Sequence, residues 1–231
     1  MAEPAQAPLV VLGIDTCGPS GSVALGRMAG DEVEVLDQIQ LEGRSFSTTL
    51  VTTVAQLLAR RGFELKNLTA IVAVNGPGSF TGVRVGLSAV KGLAEAARIS
   101  VVAVSRLEVL AAKGGAPWAA LDAHRQEAFL RMASKGWESK ELLAGAGELA
   151  EIDPTGSRIA ICDDAIAELL TLAWPAAEQV RTLMPTAADA LRFCAARILA
   201  GEFADLAMLD GHYLRRSDAE IFGGPAGPQR L

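Results

Sequence analysis

The sequence contains few of the side chains that most often carry catalysis or bind metal ions. Among its 231 residues there are 2 histidines, 3 cysteines and 1 tyrosine, and aromatic residues make up only 5% of the chain. His124 and His212 lie far apart, so they cannot form the His-x-x-x-His pair that places two imidazoles on one helical turn. We therefore expect no metal site.

The cysteines are too few and too widely spaced for a disulfide framework or for a set of zinc ligands. They are Cys17, Cys162 and Cys194, an odd number with no paired spacing. We expect buried free thiols. No Ser-His-Asp or Cys-His arrangement can be argued from spacing either, so we expect the chain not to be an enzyme by itself.

The sequence also lacks an excess of positive charge. Its formal net charge is -6, whereas a protein that holds nucleic acid unaided usually presents a basic surface. If the protein acts on a nucleic acid, we expect a partner to hold it. The first apolar run reaches Asp15 too soon for a membrane segment, and no Lys or Arg precedes it. We therefore expect a cytoplasmic protein with no membrane contact.

The most informative stretch that is present is Asn75-Gly76-Pro77-Gly78-Ser79-Phe80-Thr81-Gly82-Val83-Arg84-Val85-Gly86. It follows an apolar, β-branched run at residues 70–74, which is typical of a parallel strand buried on both faces. The glycines around the proline predict a tight turn, and Ser79 or Thr81 can cap the next helix. The stretch predicts a strand, a turn and a long helix.

The predicted helix has an apolar face, a polar face and a third face of mostly small side chains. The third face consists of Gly82, Gly86, Ala89 and Leu93. Each glycine costs about 1 kcal/mol of helix stability relative to alanine, so small residues there indicate that another backbone comes close. That neighbour is either an internal element or a helix of another subunit.

The chain begins with a predicted β-hairpin that we call acid-ended, because its first strand is followed by an aspartate, Asp15. Residues 9–14 predict a buried strand, and residues 15–21 predict a turn into a second strand. In actin-like and sugar-kinase-like folds, a hairpin of this type holds phosphate while its aspartate holds a metal ion or water. Asp15 and Thr16 are therefore candidates for nucleotide binding, although Gly18 and Gly21 could simply be turn residues. Residues 118–132 repeat the hairpin without those glycines and hydroxyls.

The predicted order of elements is three strands, a helix, a strand and a helix, which is the order of one half of an actin-like fold. We predict an α/β, actin-like (ASKHA, ribonuclease-H-like) duplicated fold with two small α/β subdomains and mixed sheets. The subdomains are residues 1–105 and 106–231, with a loose tail from about residue 217. Thr186 is predicted to cap one helix that runs to Ala200, and residues 137–152 yield no firm prediction.

The segment Gly76-Pro77-Gly78-Ser79-Phe80-Thr81-Gly82-Val83-Arg84 resembles the signature of the TsaB (YeaZ) family. Further pieces resemble family landmarks in the same order: Asp15-Thr16, Val104-Ser105-Arg106-Leu107-Glu108, Leu121-Asp122-Ala123 and Tyr213-Leu214-Arg215. The resemblance covers residues 9–216. The chain departs from it at His124, where the family usually has Asp-Ala-Arg, and at Phe46, where many relatives carry a histidine.

The resemblance implies a non-catalytic scaffold subunit of the complex that makes threonylcarbamoyladenosine at position 37 of tRNA. Its implied partners are a catalytic TsaD-like paralogue, which it binds and stabilises, and a TsaE-like ATPase, with a homodimer in their absence. No cofactor of its own is implied, although ATP or ADP at the junction with the paralogue is left open. The alternatives are an actin-like ATP-dependent phosphotransferase and a metallopeptidase-like hydrolase.

The predicted partner-binding surface combines the glycine-rich stretch with one side of the preceding helix. Its residues are Thr49, Thr52, Thr53, Gln56, Gly78, Phe80, Gly82, Gly86, Ala89 and Leu93. Helices that approach closely exclude water over more area, which is why small side chains favour docking.

Overall fold

Two five-stranded mixed sheets form the framework of the protein in a computed structural model that describes residues 9–42, 45–133 and 139–214. The first sheet has the strand order β3-β2-β1-β4-β5. Its strands are β1 (Val10–Asp15), β2 (Ser20–Ala29), β3 (Glu32–Glu42), β4 (Leu68–Val74) and β5 (Ser100–Val104). The first three strands are antiparallel, and β1, β4 and β5 are parallel.

The second sheet repeats this topology strand for strand. It comprises β6 (Trp118–Asp122), β7 (Ala128–Met132), β8 (Lys140–Ala144), β9 (Arg158–Ile161) and β10 (Glu178–Arg181). The order is β10-β9-β6-β7-β8, with β6 antiparallel to β7 and parallel to β9. The predicted duplicated α/β fold is confirmed.

Seven α-helices lie within the described ranges 9–42, 45–133 and 139–214, besides a 3-10 helix at Leu65–Asn67. They are α1 (Phe46–Arg60), α2 (Phe80–Ala97), α3 (Arg106–Gly114), α4 (Ala146–Glu151), α5 (Asp164–Ala173), α6 (Ala187–Phe193) and α7 (Ala195–Leu199). None of these helices is long and apolar enough to cross a bilayer.

Helices cover both faces of the first sheet. A Cβ on Gly21 would meet the Phe46 ring at the start of α1, whereas a Cβ on Gly26 would meet Leu191 of α6. Because side chains an odd number of residues apart point to opposite faces of a strand, α1 and α6 lie on opposite faces. The helix α2 packs beside α1. Phe46 is therefore a core residue, 4% exposed.

The C-terminal half contributes to the core of the first sheet. That core contains Ala187, Leu191, Ile198 and Leu209, and the backbone of Ala187 donates to the buried Ser22 hydroxyl at 2.8 Å. The sequence predicts one helix from Thr186 to Ala200, and this is wrong: the chain turns at Cys194 and continues as α7. The subdomain limits stay a prediction, and the tail predicted from residue 217 lies outside the described residues.

Candidate functional site

A cleft of about 670 Å³ lies between the two sheets, at the edge where both hairpins end. The loop before α2, the start of α3 and residues 212–214 also line the cleft, together with Asp163, Ala165 and Met184. The loop is anchored to the first hairpin, because the Ser79 backbone donates to Cys17 O at 2.8 Å. Ser79 caps α2 as predicted, its Oγ accepting from the Gly82 backbone at 3.2 Å.

The glycines of the α2 stripe pack against the first hairpin of the same chain. A Cβ on Gly82 would lie 2.1 Å from the Thr16 carbonyl oxygen, and one on Gly86 would lie 2.2 Å from Thr16 Oγ1. The Thr16 hydroxyl donates to Gly82 O at 2.7 Å. Gly78 is tight in the same way, since its Cβ would lie 2.1 Å from Cys17 O. The sequence allowed two kinds of neighbour for the stripe, and the internal one explains Gly82 and Gly86. The same hairpin explains Gly78, which precedes the helix.

The other residues of the predicted partner surface differ in exposure. Thr53 is buried, Thr49, Ala89 and Leu93 are half-buried, and Thr52, Gln56 and Phe80 are exposed. Val51, which the sequence analysis did not select, is 56% exposed on α1. Gly82 and Gly86 are buried, so the other side chains form the exposed surface of α1 and α2. Binding of a partner to this surface stays a prediction.

Asp15 and Thr16 are buried and engaged in internal contacts. Asp15 Oδ1 accepts from the Cys17 backbone at 2.8 Å, and Asp15 Oδ2 lies 3.9 Å from Arg106 Nε. The Arg106 guanidinium therefore lies beside the Asp15 carboxylate. In a phosphate-transferring hairpin, a divalent cation would occupy that position. Nucleotide binding through Asp15 and Thr16 stays a prediction.

Arg106 is the cleft residue that the sequence analysis missed as a site residue. Its side chain is only 6% exposed, and within residues 9–42, 45–133 and 139–214 its Nε and Nη2 have no hydrogen-bond partner. The signal was present in the segment Ser105-Arg106-Leu107-Glu108, but only as a family landmark. Nothing local predicts that a charged residue at the first position of α3 should be buried.

The second hairpin reproduces the Asp15 turn and then departs from it. Asp122 Oδ1 accepts from the His124 backbone at 2.7 Å, as Asp15 does from Cys17. His124, Arg125 and Gln126 all have positive φ angles of 61°, 56° and 61°. Residues other than glycine rarely adopt this left-handed backbone conformation, which costs about 1–2 kcal/mol per residue. The His124 ring lies 2.9 Å from Asp122 Oδ2.

Residues 209–214 cross back between the two sheets. The His212 backbone donates to Asn75 O at 2.7 Å, and its Nε2 lies 2.8 Å from Glu141 Oε2. The hydrogen bond with Glu141 raises the pKa of His212 above its ordinary value, against the smaller opposing effect of burial. Tyr213 packs on Phe80 with ring centroids 5.2 Å apart.

Burial makes the thiols of the molecule poor nucleophiles. Burial raises the pKa of Cys17 well above its ordinary value, that of Cys162 to about 11 and that of Cys194 to about 12. Cys17 donates to Val74 O at 3.2 Å. Within residues 9–42, 45–133 and 139–214, no group of three or more His, Cys, Asp or Glu side chains is arranged to hold a metal ion.

Comparison with known proteins agrees with this fold. The model of the TsaD family, described as tRNA N6-adenosine threonylcarbamoyltransferase, matches residues 39–187. The chain is 35% identical over 106 residues to the tRNA threonylcarbamoyladenosine biosynthesis protein TsaB of Bacillus subtilis, covering 46% of this chain and 45% of that one. The chain belongs to the TsaD family and is similar to TsaB (YeaZ) proteins. The resemblance noted from sequence is confirmed.

Two further matches extend along the chain. A tRNA N6-adenosine threonylcarbamoyltransferase of Methylorubrum extorquens is 29% identical over 188 residues, covering 74% of this chain and 53% of that protein. A crystal structure of a Pseudomonas aeruginosa protein described as similar to peptidase YEAZ superposes with a TM-score of 0.71 at 26% identity, covering 91% of this chain and all of that one. The chain spans about half the length of the curated relatives it matches.

Proposed function

We propose that this chain acts in tRNA threonylcarbamoyladenosine biosynthesis as a scaffold that binds and stabilises a catalytic TsaD-like paralogue. Its TsaB relatives carry the name of that pathway, and a threonylcarbamoyltransferase matches most of its length. Two proteins that share a fold can meet through equivalent surfaces, so this chain is expected to form a homodimer when the paralogue is absent.

The observation that carries the scaffold assignment is that Asp15 and Thr16 beside the cleft, and His212 within it, are engaged in internal contacts. The Asp15 carboxylate is held by the Cys17 backbone and faces Arg106. The Thr16 hydroxyl donates to α2, and His212 pairs with Glu141. A general acid, base or nucleophile must be free to reach its substrate, and these groups stabilise the fold instead.

The proposed docking surface is the exposed part of α1 and α2. It presents Thr52 and Gln56 from α1 and the half-buried Ala89 and Leu93 from α2. Exposed Val51 and Phe80 add apolar area to this face. We propose that tRNA and a TsaE-like ATPase join through the complex, and that any ATP or ADP lies at the junction with the paralogue.

Reconstituted transfer tests the function. The TsaD-like protein of the same organism, tRNA and threonylcarbamoyl-adenylate are incubated with and without this chain, and modified adenosine is quantified by mass spectrometry. We expect no product from this chain alone and an increase when it joins the paralogue. Transfer by this chain unaided, or no effect on the paralogue, would contradict the proposal.

A pair of arginine variants tests the surface. Gln56→Arg places a charge on α1 within the proposed contact, where burial without a partner is costly, so binding of the paralogue should weaken about tenfold or more. Ala196→Arg is the control, because Ala196 is exposed on α7, which packs with α6 on the far face of the first sheet. Equal affinities of the two variants for the paralogue would mean that the paralogue binds at another surface.

A further inference from the structure

The floor of the cleft contains a buried positive charge whose hydrogen bonds are incomplete. Arg106 is 5% exposed and lies between Asp15 and the turn at Gly18, where a Cβ would approach its Nη2 to 2.4 Å. Its Nε is 3.9 Å from Asp15 Oδ2, which is an ion-pair distance but too long for a hydrogen bond. In the described part of the chain, Nε and Nη2 have no hydrogen-bond partner, although buried polar groups nearly always have one.

A second positive feature lines the same cleft as the guanidinium. The 18-residue helix α2 begins at Phe80, and both Ser79 and Phe80 line the cleft. The N-terminus of a helix carries a partial positive charge and free N–H groups, so it favours anions. Two acidic residues, Asp122 and Asp163, line the cleft on the side of the second sheet. Each already accepts a backbone hydrogen bond, Asp122 from His124 and Asp163 from Ile166.

The rest of the cleft is suited to an apolar group. Phe80, Phe129, Leu121 and Met184 contribute to its walls. A volume of about 670 Å³ falls in the range of roughly 300–1,000 Å³ that is usual for small-molecule sites, which combine apolar walls with a few polar anchors.

We propose that this cleft binds a small organic anion, with its carboxylate or phosphate at Arg106 and its apolar part against Phe80, Phe129 and Met184. Because the guanidinium already stands beside Asp15, the site requires no divalent cation. In this requirement the site differs from one that binds a nucleotide together with magnesium. The proposal does not depend on the role in tRNA modification.

Calorimetric titration of the full chain in the presence of EDTA tests the site. The probes are phenyl phosphate and benzoate, which share an aromatic body and differ in the anionic group, so that the stronger of the two identifies the class. Mg-ATP without EDTA is the third probe. We expect saturable binding of one molecule of phenyl phosphate or benzoate per chain, at lower concentration than Mg-ATP.

Three variants link the binding to the cleft. Arg106→Gln removes the charge and should weaken binding about tenfold or more, the loss expected for a charge-assisted hydrogen bond. Ala165→Trp fills the cleft from an exposed position of α5 and should abolish binding without disturbing the core. Ala196→Trp makes the same substitution at an exposed position of α7 that does not line the cleft, and should bind as the parent does.

Circular dichroism establishes that each variant is folded. If Arg106→Gln does not fold, the comparison of Ala165→Trp with Ala196→Trp tests the proposal by itself. The proposal is overturned if neither aromatic anion saturates at millimolar concentration, if Mg-ATP binds more tightly than both, or if Ala165→Trp binds as well as Ala196→Trp.

Discussion

Gly82→Ala tests the contact between α2 and the first hairpin. The added methyl group would lie 2.1 Å from the Thr16 carbonyl oxygen, which belongs to the backbone and cannot rotate away. The two atoms must separate by about 1 Å to reach an ordinary contact. That movement would also strain the bond from the Thr16 hydroxyl to Gly82 O, which is buried and 2.7 Å long.

The cost can be estimated from its parts. Overpacking of a well-packed site costs about 1–3 kcal/mol, and loss of a buried hydrogen bond adds about 1 kcal/mol. The higher helix propensity of alanine offsets about 1 kcal/mol of this loss of stability. The last two contributions cancel, so we expect the free energy of unfolding to fall by about 1–3 kcal/mol, which lowers Tm by roughly 2–12 °C in a protein of this size.

Gly92 provides the matched control on the same helix. It lies in α2, is exposed, and a Cβ there would have no neighbour within 4 Å. Gly92→Ala should therefore stabilise the protein by about 1 kcal/mol. Urea denaturation followed by circular dichroism measures both variants. If Gly82→Ala were as stable as the parent, the internal explanation of the small stripe would be refuted.

Two further predictions concern titratable groups. The hydrogen bond with Glu141 raises the pKa of His212, so its contribution to stability is fully present below the unfolded value near 6.5 and is lost as pH rises through the higher folded value; His212→Gln should therefore destabilise the protein more at pH 6 than at pH 8, and an equal effect at both would contradict the ion pair. Cys17 and Cys194 are buried, so a thiol reagent at pH 8 should modify at most Cys162 in the folded protein and all three thiols in denaturant, whereas fast reaction of two or more in the native state would exclude this packing.

The features that could be predicted from sequence are those specified by local pattern. The Ser79 cap follows from a hydroxyl at the strand-to-helix turn, and β1, β4 and β5 follow from short β-branched runs with no charge. The duplicated topology followed from the order of elements in the first half and from the second acid-ended hairpin. These signals need no knowledge of distant contacts.

Features that depend on distant contacts were missed. The edge strand β10 (Glu178–Arg181) has two charged residues in four and no apolar run, so only its pairing with β9 defines it. The stripe at Gly82 and Gly86 indicated a close neighbour, but the neighbour, Thr16, is more than sixty residues away in sequence. The burial of Arg106 likewise depends on the Asp15 turn, which packs over it only in the folded chain.

The mass of the complex in solution tests the scaffold role most directly. Light scattering after size exclusion is applied to this 24.1 kDa chain alone, to the TsaD-like protein of the same organism alone, and to their mixture. We predict a homodimer that is replaced by a one-to-one heterodimer in the mixture, with Gln56→Arg weakening the heterodimer and Ala196→Arg leaving it intact. Separate elution of the two proteins at micromolar concentration would contradict it.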